Sequence, residues 1–186
     1  YGAEAAAKEA GVTVRHTAGQ GYTGPADQLQ DAENILQRGT DAIILAPVDT
    51  QGGVSVVDAA AEAGVPVVNV STEVVDPRVY MVMQDDYLMG KAAADAVHEL
   101  VPEGGPGIVM AGPANATWSK KRAVGFADQV AEKYPEIEIV AAPNQLVDPE
   151  EGLSDFENAV ASNPDIKWIF STHHVLLLPD TIPSKF

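Results

Sequence analysis

Two adjacent carboxylates, Asp85 and Asp86, stand where a short apolar run ends and a long Ala-rich helical pattern begins. A carboxylate at a helix start is stabilised by free backbone N–H groups and by the helix dipole. Its neighbour can then accept hydrogen bonds from a hydroxyl or ammonium group of a ligand. Because parallel α/β sheets bind ligands outside the carboxyl ends of their strands, we expect this junction to lie beside a cleft. The alternative is that one aspartate caps the helix and the other is solvated.

A second pair of candidates, Trp118 and Arg122, is spaced by four residues and therefore shares one face of a predicted helix. The guanidinium fork of an arginine can bond several ligand oxygens at once. A tryptophan ring can supply a flat wall for a sugar ring or a face for a quaternary ammonium group. The alternatives are a surface salt bridge for Arg122 and a packing role for Trp118 under the preceding loop.

Two histidines, His173 and His174, follow the last strand-like run. Neighbours on a strand point to opposite faces, so the two rings are poorly placed to hold one metal ion. We therefore predict no metal site and no cofactor, and we place His173 at the cleft. His16 and His98 have no partner pattern and are predicted to be surface residues.

The pattern of reactive residues does not favour catalysis. There is no cysteine, no Ser–His–Asp order with a nucleophile elbow and no pair of acids in a retaining arrangement. The protein is therefore predicted not to be an enzyme. A small enzyme that uses the cleft carboxylates is kept as an alternative.

Composition narrows the range of partners. The chain has 27 acidic and 11 basic residues and a formal charge of -16, which opposes binding to nucleic acid or to an anionic membrane surface. Its apolar runs are of strand length and too short to span a bilayer. The sequence thus predicts a monomeric protein that binds a small polar solute and no nucleic acid.

Strand-like apolar runs alternate with amphipathic helical patterns along the chain. Predicted strands cover 11–17, 41–46, 67–71, 80–83, 108–111, 137–141 and 167–171. Predicted helices cover 2–10, 26–38, 53–63, 86–101, 117–133 and 149–162. This rhythm produces parallel sheets through right-handed crossovers, so the predicted fold class is α/β with two Rossmann-like lobes.

The aspartate junction divides the pattern into two runs. We predict an N-terminal lobe over 1–84, a C-terminal lobe over 85–174, and an atypical tail or return segment over 175–186. The chain opens inside a helical pattern, and two prolines stand in the tail where another helix is due. Both ends are therefore expected to be truncated or joined to further segments.

Several stretches, in order, resemble the type I periplasmic solute-binding proteins, the ribose-binding-protein-like group of sugar-type ABC transporters. Residues 38–49 resemble the group's G-x-D-A-I-I-x-x-P-x-D segment, and 63–68 its A-x-I-P-V-V. Residues 84–91 stand where the group has S-D-N-x-x-x-G, 121–126 match R-x-x-G-F, and 163–170 match the P-D-I-x-A-I-F strand. The order and spacing of these segments carry the resemblance, which extends to about Thr172.

The resemblance implies a periplasmic receptor that closes around a sugar-like solute, or a small amine or N-oxide, and delivers it to an ABC permease. It implies that Tyr22 faces the ligand, that Arg122 lies in the cleft, and that His173 stands where the group has an Asn-Asp pair. Ser71 and Thr72 replace an Asp-Arg pair that clamps sugar hydroxyls in the group. The group's first strand, central in the N-terminal lobe, has no counterpart in this chain, and the signal peptide is expected to have been removed.

Two alternatives share the same fold. The turn at 18–22 resembles the branch of TorT, which senses trimethylamine N-oxide for a membrane histidine kinase, so the partner could be a sensor kinase. A LacI-type repressor would also use this fold as its effector domain. That function requires a helix-turn-helix and a basic stripe, and neither pattern is present in the 186 residues.

Overall fold

The structure is a computed structural model that describes residues 2–18, 24–144 and 148–173. Its helices are α1 (Gly2–Ala10), α2 (Pro25–Gln37), α3 (Thr50–Glu62), α4 (Asp86–Leu100), α5 (Thr117–Lys133) and α6 (Pro149–Ser162). Its strands are β1 (Ile43–Leu45), β2 (Val67–Asn69), β3 (Val79–Met81), β4 (Gly105–Met110), β5 (Ile137–Ala141) and β6 (Trp168–Ser171). The predicted tail 175–186 lies outside the described residues.

The strands form two parallel three-stranded sheets, so the predicted fold class is confirmed. The first sheet has the order β1-β2-β3, with Ile43 opposite Val67 and Val67 opposite Val79. Helices α2 and α3 cover one face of this sheet, where Val56, Val57 and other small apolar side chains form the core. All elements of the first sheet precede residue 84.

The second sheet has the order β5-β4-β6 and is covered on both faces. Successive side chains of the central strand β4 point to opposite faces, as the strand geometry requires. Val109 packs with Phe126 on the side of α4 and α5, whereas Ile108 and Met110 pack with Phe156 of α6. This sandwich holds the start of α5 near the carboxyl ends of β4 and β6. The division into lobes at 84/85 remains a prediction.

The strand predicted over 11–17 is wrong, because residues 12–18 adopt no regular secondary structure. A strand requires a hydrogen-bonded neighbour, and a cavity of about 490 Å³ separates this segment from β1. Val14 and Ile44, both exposed apolar side chains, line that cavity from opposite sides.

Aspartates begin three of the helices. Asp49 accepts from the Gly52 amide at the start of α3, and Asp148 accepts from the Glu150 and Glu151 amides at the start of α6. The third aspartate, Asp85, belongs to the candidate site.

Helices α4 and α5 pack at very short range through two glycines. A Cβ atom on Gly90 would lie 2.1 Å from the Arg122 carbonyl oxygen, and one on Gly125 would lie 2.1 Å from the Tyr87 carbonyl oxygen. No side chain fits at either contact. The absence of both Cβ atoms therefore sets the distance between the N-terminal halves of the two helices.

Candidate functional site

The two junction carboxylates have different environments. Asp85 precedes α4 as its N-cap, and its Oδ1 accepts from the Leu88 amide at 3.0 Å. Asp86, the first residue of the helix, is only 4% exposed. One aspartate therefore caps the helix, as the alternative interpretation expected, but the other is buried and not solvated.

Asp86 forms an ion pair with Arg122 of the neighbouring helix. Both Nε and Nη2 of Arg122 lie 2.8 Å from Oδ1 of Asp86, and the Gln84 amide donates to the same oxygen at 3.1 Å. Nη1 of Arg122 donates to the Thr172 carbonyl oxygen at 2.7 Å. The exposed fractions of the two charged side chains are 16% for Arg122 and 5% for Asp86, so this is not a surface salt bridge.

Aromatic rings flank this ion pair. The guanidinium carbon of Arg122 lies 5.0 Å from the centre of the Trp118 ring, as their spacing on one helix face predicted. The His173 ring is tilted against Trp118, with centroids 5.5 Å apart. We call Asp86, Trp118, Arg122 and His173 the Arg122 cluster. Trp118 is itself buried, so little of its ring faces solvent in this structure.

The loop after β4 positions the start of α5 against the end of β6. The hydroxyls of Ser119 and Thr172 both donate to the Ala111 carbonyl oxygen. Gly112 has a φ of 71°, and a Cβ there would lie 2.8 Å from Ser119 Oγ. Glycine therefore suits this turn, which brings the carboxyl ends of β4 and β6 to the same place.

Ser71, another predicted ligand residue, stands apart from the Arg122 cluster. Ser71 is exposed with a φ of 68°, and no described contact joins it to the Arg122 cluster. Its neighbour Thr72 is fully buried, and its hydroxyl has no hydrogen-bond partner among the described residues. Tyr22 and His174 lie outside the described part of the chain.

The segment after β2 nevertheless reaches α5. The Glu73 amide donates to the Thr117 hydroxyl at 2.8 Å, and the Glu73 carboxylate pairs with Lys121 at 2.6 Å. Buried Asn69 shapes this segment because its side-chain amide donates to the carbonyl oxygens of Leu45 and Thr72. The connection thus links the end of the first sheet to the helix that carries Arg122.

Sequence reasoning missed Gln84, Thr172 and Glu73. Gln84 precedes the aspartate pair directly, and that position was the available signal. Thr172 contributes a backbone carbonyl, which has no signature in the residue type. His98 is a surface residue as predicted, with a side chain that is 40% exposed. It nevertheless has partners that the sequence pattern did not indicate, because its ring stacks on Tyr134 and Nδ1 lies 2.8 Å from Glu136.

Charged groups elsewhere are paired in ways that change their titration. Arg78 donates to the Asp76 carboxylate and lowers its pKa from 3.8 to about 2. Hydrogen bonds from Gln129 and Tyr134 lower the pKa of Asp95.

Within residues 2–18, 24–144 and 148–173, no group of three His, Cys, Asp or Glu side chains is arranged to hold a metal ion. None of the helices described there is long and apolar enough to cross a bilayer.

A family model of the periplasmic binding protein domain matches residues 1–178. The chain belongs to this family. Its two parallel sheets, with a cluster of polar and aromatic side chains at strand ends, are the architecture of a periplasmic binding protein of type I.

Relatives of this periplasmic binding domain include import binding proteins. The ribose import binding protein of Bacillus subtilis is 26% identical over 152 residues, which are 81% of this chain and 49% of the relative. The D-apiose import binding protein of Actinobacillus succinogenes is 27% identical over 179 residues, 95% of this chain and 57% of the relative. The chain therefore spans about half the length of these relatives.

The fold of the domain is also similar to that of solved structures. A carbohydrate transporter solute binding protein from Agrobacterium radiobacter, in complex with D-arabinose, superposes with a TM-score of 0.82 at 26% identity. The match covers 91% of this chain and 59% of that protein. All three reported proteins are named for binding and not for catalysis.

Proposed function

We propose that this domain provides part of the sugar site of a periplasmic solute-binding receptor that delivers its ligand to an ABC permease. The observation that carries the proposal is the Arg122 cluster. An arginine fork held by a carboxylate lies against a tryptophan, which in turn packs on a histidine, at the carboxyl ends of β4 and β6.

The cluster has the chemistry that a sugar requires. Arg122 has five N–H donors: Nε donates to Asp86, Nη1 donates one hydrogen to Thr172, and Nη2 places one hydrogen beside the same Asp86 oxygen, 2.8 Å away. The remaining two can donate to ligand hydroxyl oxygens, and the aspartate carboxylates can accept from ligand hydroxyl hydrogens. The His173 ring is only partly buried and is backed by Trp118, so its face can pack against the C–H groups of a sugar ring. Relatives named for ribose, D-apiose and D-arabinose binding support this ligand class.

Binding is proposed to act through lobe closure. A ligand that contacts both lobes favours the closed state by its difference in affinity for the two states. The contact between Glu73 and the start of α5 lies where the halves meet, so it would shift with closure. The closed form would then dock on a membrane permease. This role requires the protein to be in the periplasm.

The experiment is calorimetric titration of the full-length protein with neutral pentoses and hexoses, including D-ribose, D-apiose and D-arabinose. The test variant is Arg122→Lys, which keeps the positive charge next to Asp86 but loses the planar fork. We expect its affinity for the tightest-binding sugar to fall at least tenfold, on the order of 1.4 kcal/mol or more.

The matched control is Arg78→Lys. Arg78 also pairs with two aspartates, Asp58 and Asp76, but it lies before β3 and is about half exposed. We expect this variant to bind the sugar within twofold of wild type. Absence of sugar binding by the wild-type protein, or equal affinities for Arg122→Lys and wild type, would contradict the proposed function.

A further inference from the structure

The Arg122 guanidinium carries its own counter-anion. Oδ1 of Asp86 accepts from Nε and lies 2.8 Å from Nη2, so the Nε–Nη2 side of the fork, which commonly binds a carboxylate in two-point fashion, is already occupied. The pair has no net charge, and both side chains are largely buried. An arriving anion would meet an arginine that is already neutralised.

The charged residues next to Arg122 do not restore the positive charge that Asp86 neutralises. Lys121, next to Arg122 in sequence, pairs with Glu73 at 2.6 Å. Asp85 adds a further carboxylate beside Asp86. Asp85, Asp86 and Arg122 together carry a net charge of −1, on a chain whose formal charge is -16.

From this arrangement we infer that Asp86 determines specificity by excluding acidic sugars and admitting neutral ones. This inference rests on the proposed function and deepens it. A neutral hydroxyl can both accept from the two remaining N–H groups of Arg122 and donate to a carboxylate. A carboxylate or phosphate group at the same place can only accept, and it is repelled by Asp86 across a few ångströms of largely buried space.

The test variant is Asp86→Asn, which keeps the shape of the side chain and removes its negative charge. D-galactose and D-galacturonate are suitable probes because they have the same ring and differ at one group. That group is a CH₂OH in galactose and a carboxylate in galacturonate. We expect the ratio of galacturonate affinity to galactose affinity, measured by calorimetry on the full-length protein, to rise at least tenfold. A purely structural role for Asp86 would weaken both sugars together and leave the ratio unchanged.

The matched control is Asp128→Asn, which removes the same charge from the same pair of helices. Asp128 accepts from the Tyr87 hydroxyl at 2.9 Å and does not contact Arg122. Its affinity ratio is expected to stay within threefold of wild type. If Asp86→Asn does not fold, Asp86→Ser provides a second neutral residue at the site, and thermal melting verifies the fold of each variant.

The outcomes separate the two proposals. A wild-type protein that binds a neutral sugar, with an Asp86→Asn ratio within threefold of wild type, would overturn the specificity inference and leave the proposed function standing. Preference of the wild type for galacturonate would overturn it as well. If the wild type bound neither probe, acid binding gained by Asp86→Asn would support the inference, and absence of acid binding by that variant would overturn it.

Discussion

Asp85 and Asp86 are neighbours in sequence with separate tasks in the structure. Asp85 caps α4 through the Leu88 amide, whereas Asp86 is buried against Arg122. The residue types and their position predicted a helix cap and a second carboxylate with a different task. They could not identify the partner of Asp86, because Arg122 lies 36 residues away on another helix. Such a pairing depends on how α4 and α5 pack.

The cap gives a prediction at the residue scale. Asp85→Ala removes the acceptor for the Leu88 amide and should lower the free energy of unfolding of the unliganded protein by about 1 kcal/mol. Asp85→Asn keeps a capping oxygen and should cost only a few tenths of that. Urea denaturation of both variants measures the difference, and equal midpoints for them would show that the cap contributes nothing.

Among the secondary-structure elements, the contact between helices α4 and α5 builds the site. Asp86 begins one helix and Arg122 stands in the second turn of the other, so the distance between the axes determines whether the two charges meet. Gly90 and Gly125 permit that distance. The site therefore depends on residues that have no side chain.

Gly90→Ala should push the helices apart and destabilise the protein by about 3 kcal/mol, the upper end for overpacking against a backbone. Gly2→Ala is the matched control because a Cβ there meets no atom within 4 Å. We expect the control to change the free energy of unfolding by less than ~0.5 kcal/mol. Chemical denaturation is the measurement, and a Gly90→Ala midpoint equal to that of Gly2→Ala would show that the close packing is not required.

Most elements could be predicted from periodicity and turn residues, and the exception has a physical cause. The pattern at 11–17 has the alternation of a strand, but alternation cannot supply the neighbour that a strand needs. The segment lies across a cavity from β1 and remains unpaired. For a similar reason the stacking of His98 on Tyr134 was not predictable, since the two residues lie on different helical segments.

At the scale of the whole molecule, a short segment that follows the first sheet contacts the helix that covers the second sheet. Glu73, which follows the first sheet's strand β2, bonds to Thr117 and Lys121 at the start of α5. The exposed ion pair contributes little energy on its own. The hydrogen bond to the Thr117 hydroxyl is less exposed than the ion pair, so it is the better candidate for a connection that responds to closure.

Thr117→Val removes the acceptor of the Glu73 amide and should accelerate hydrogen exchange at that amide about fivefold, because the lost bond is worth roughly 1 kcal/mol. Thr50→Val is the control. The Thr50 hydroxyl donates to the carbonyl oxygen of the same Glu73 at 3.0 Å and leaves its amide bond intact. Equal acceleration by both variants would mean that the segment is held as a whole and not by the contact with α5.

The most direct test of the account is a crystal structure of the full-length protein with its tightest-binding neutral sugar. The account predicts a sugar hydroxyl oxygen within about 3 Å of an Nη atom of Arg122, with the sugar ring against Trp118 or His173 and the Asp86 pair intact. A sugar bound elsewhere, for example in the cavity beside β1, with Arg122 bonded only to Asp86 and Thr172, would contradict it.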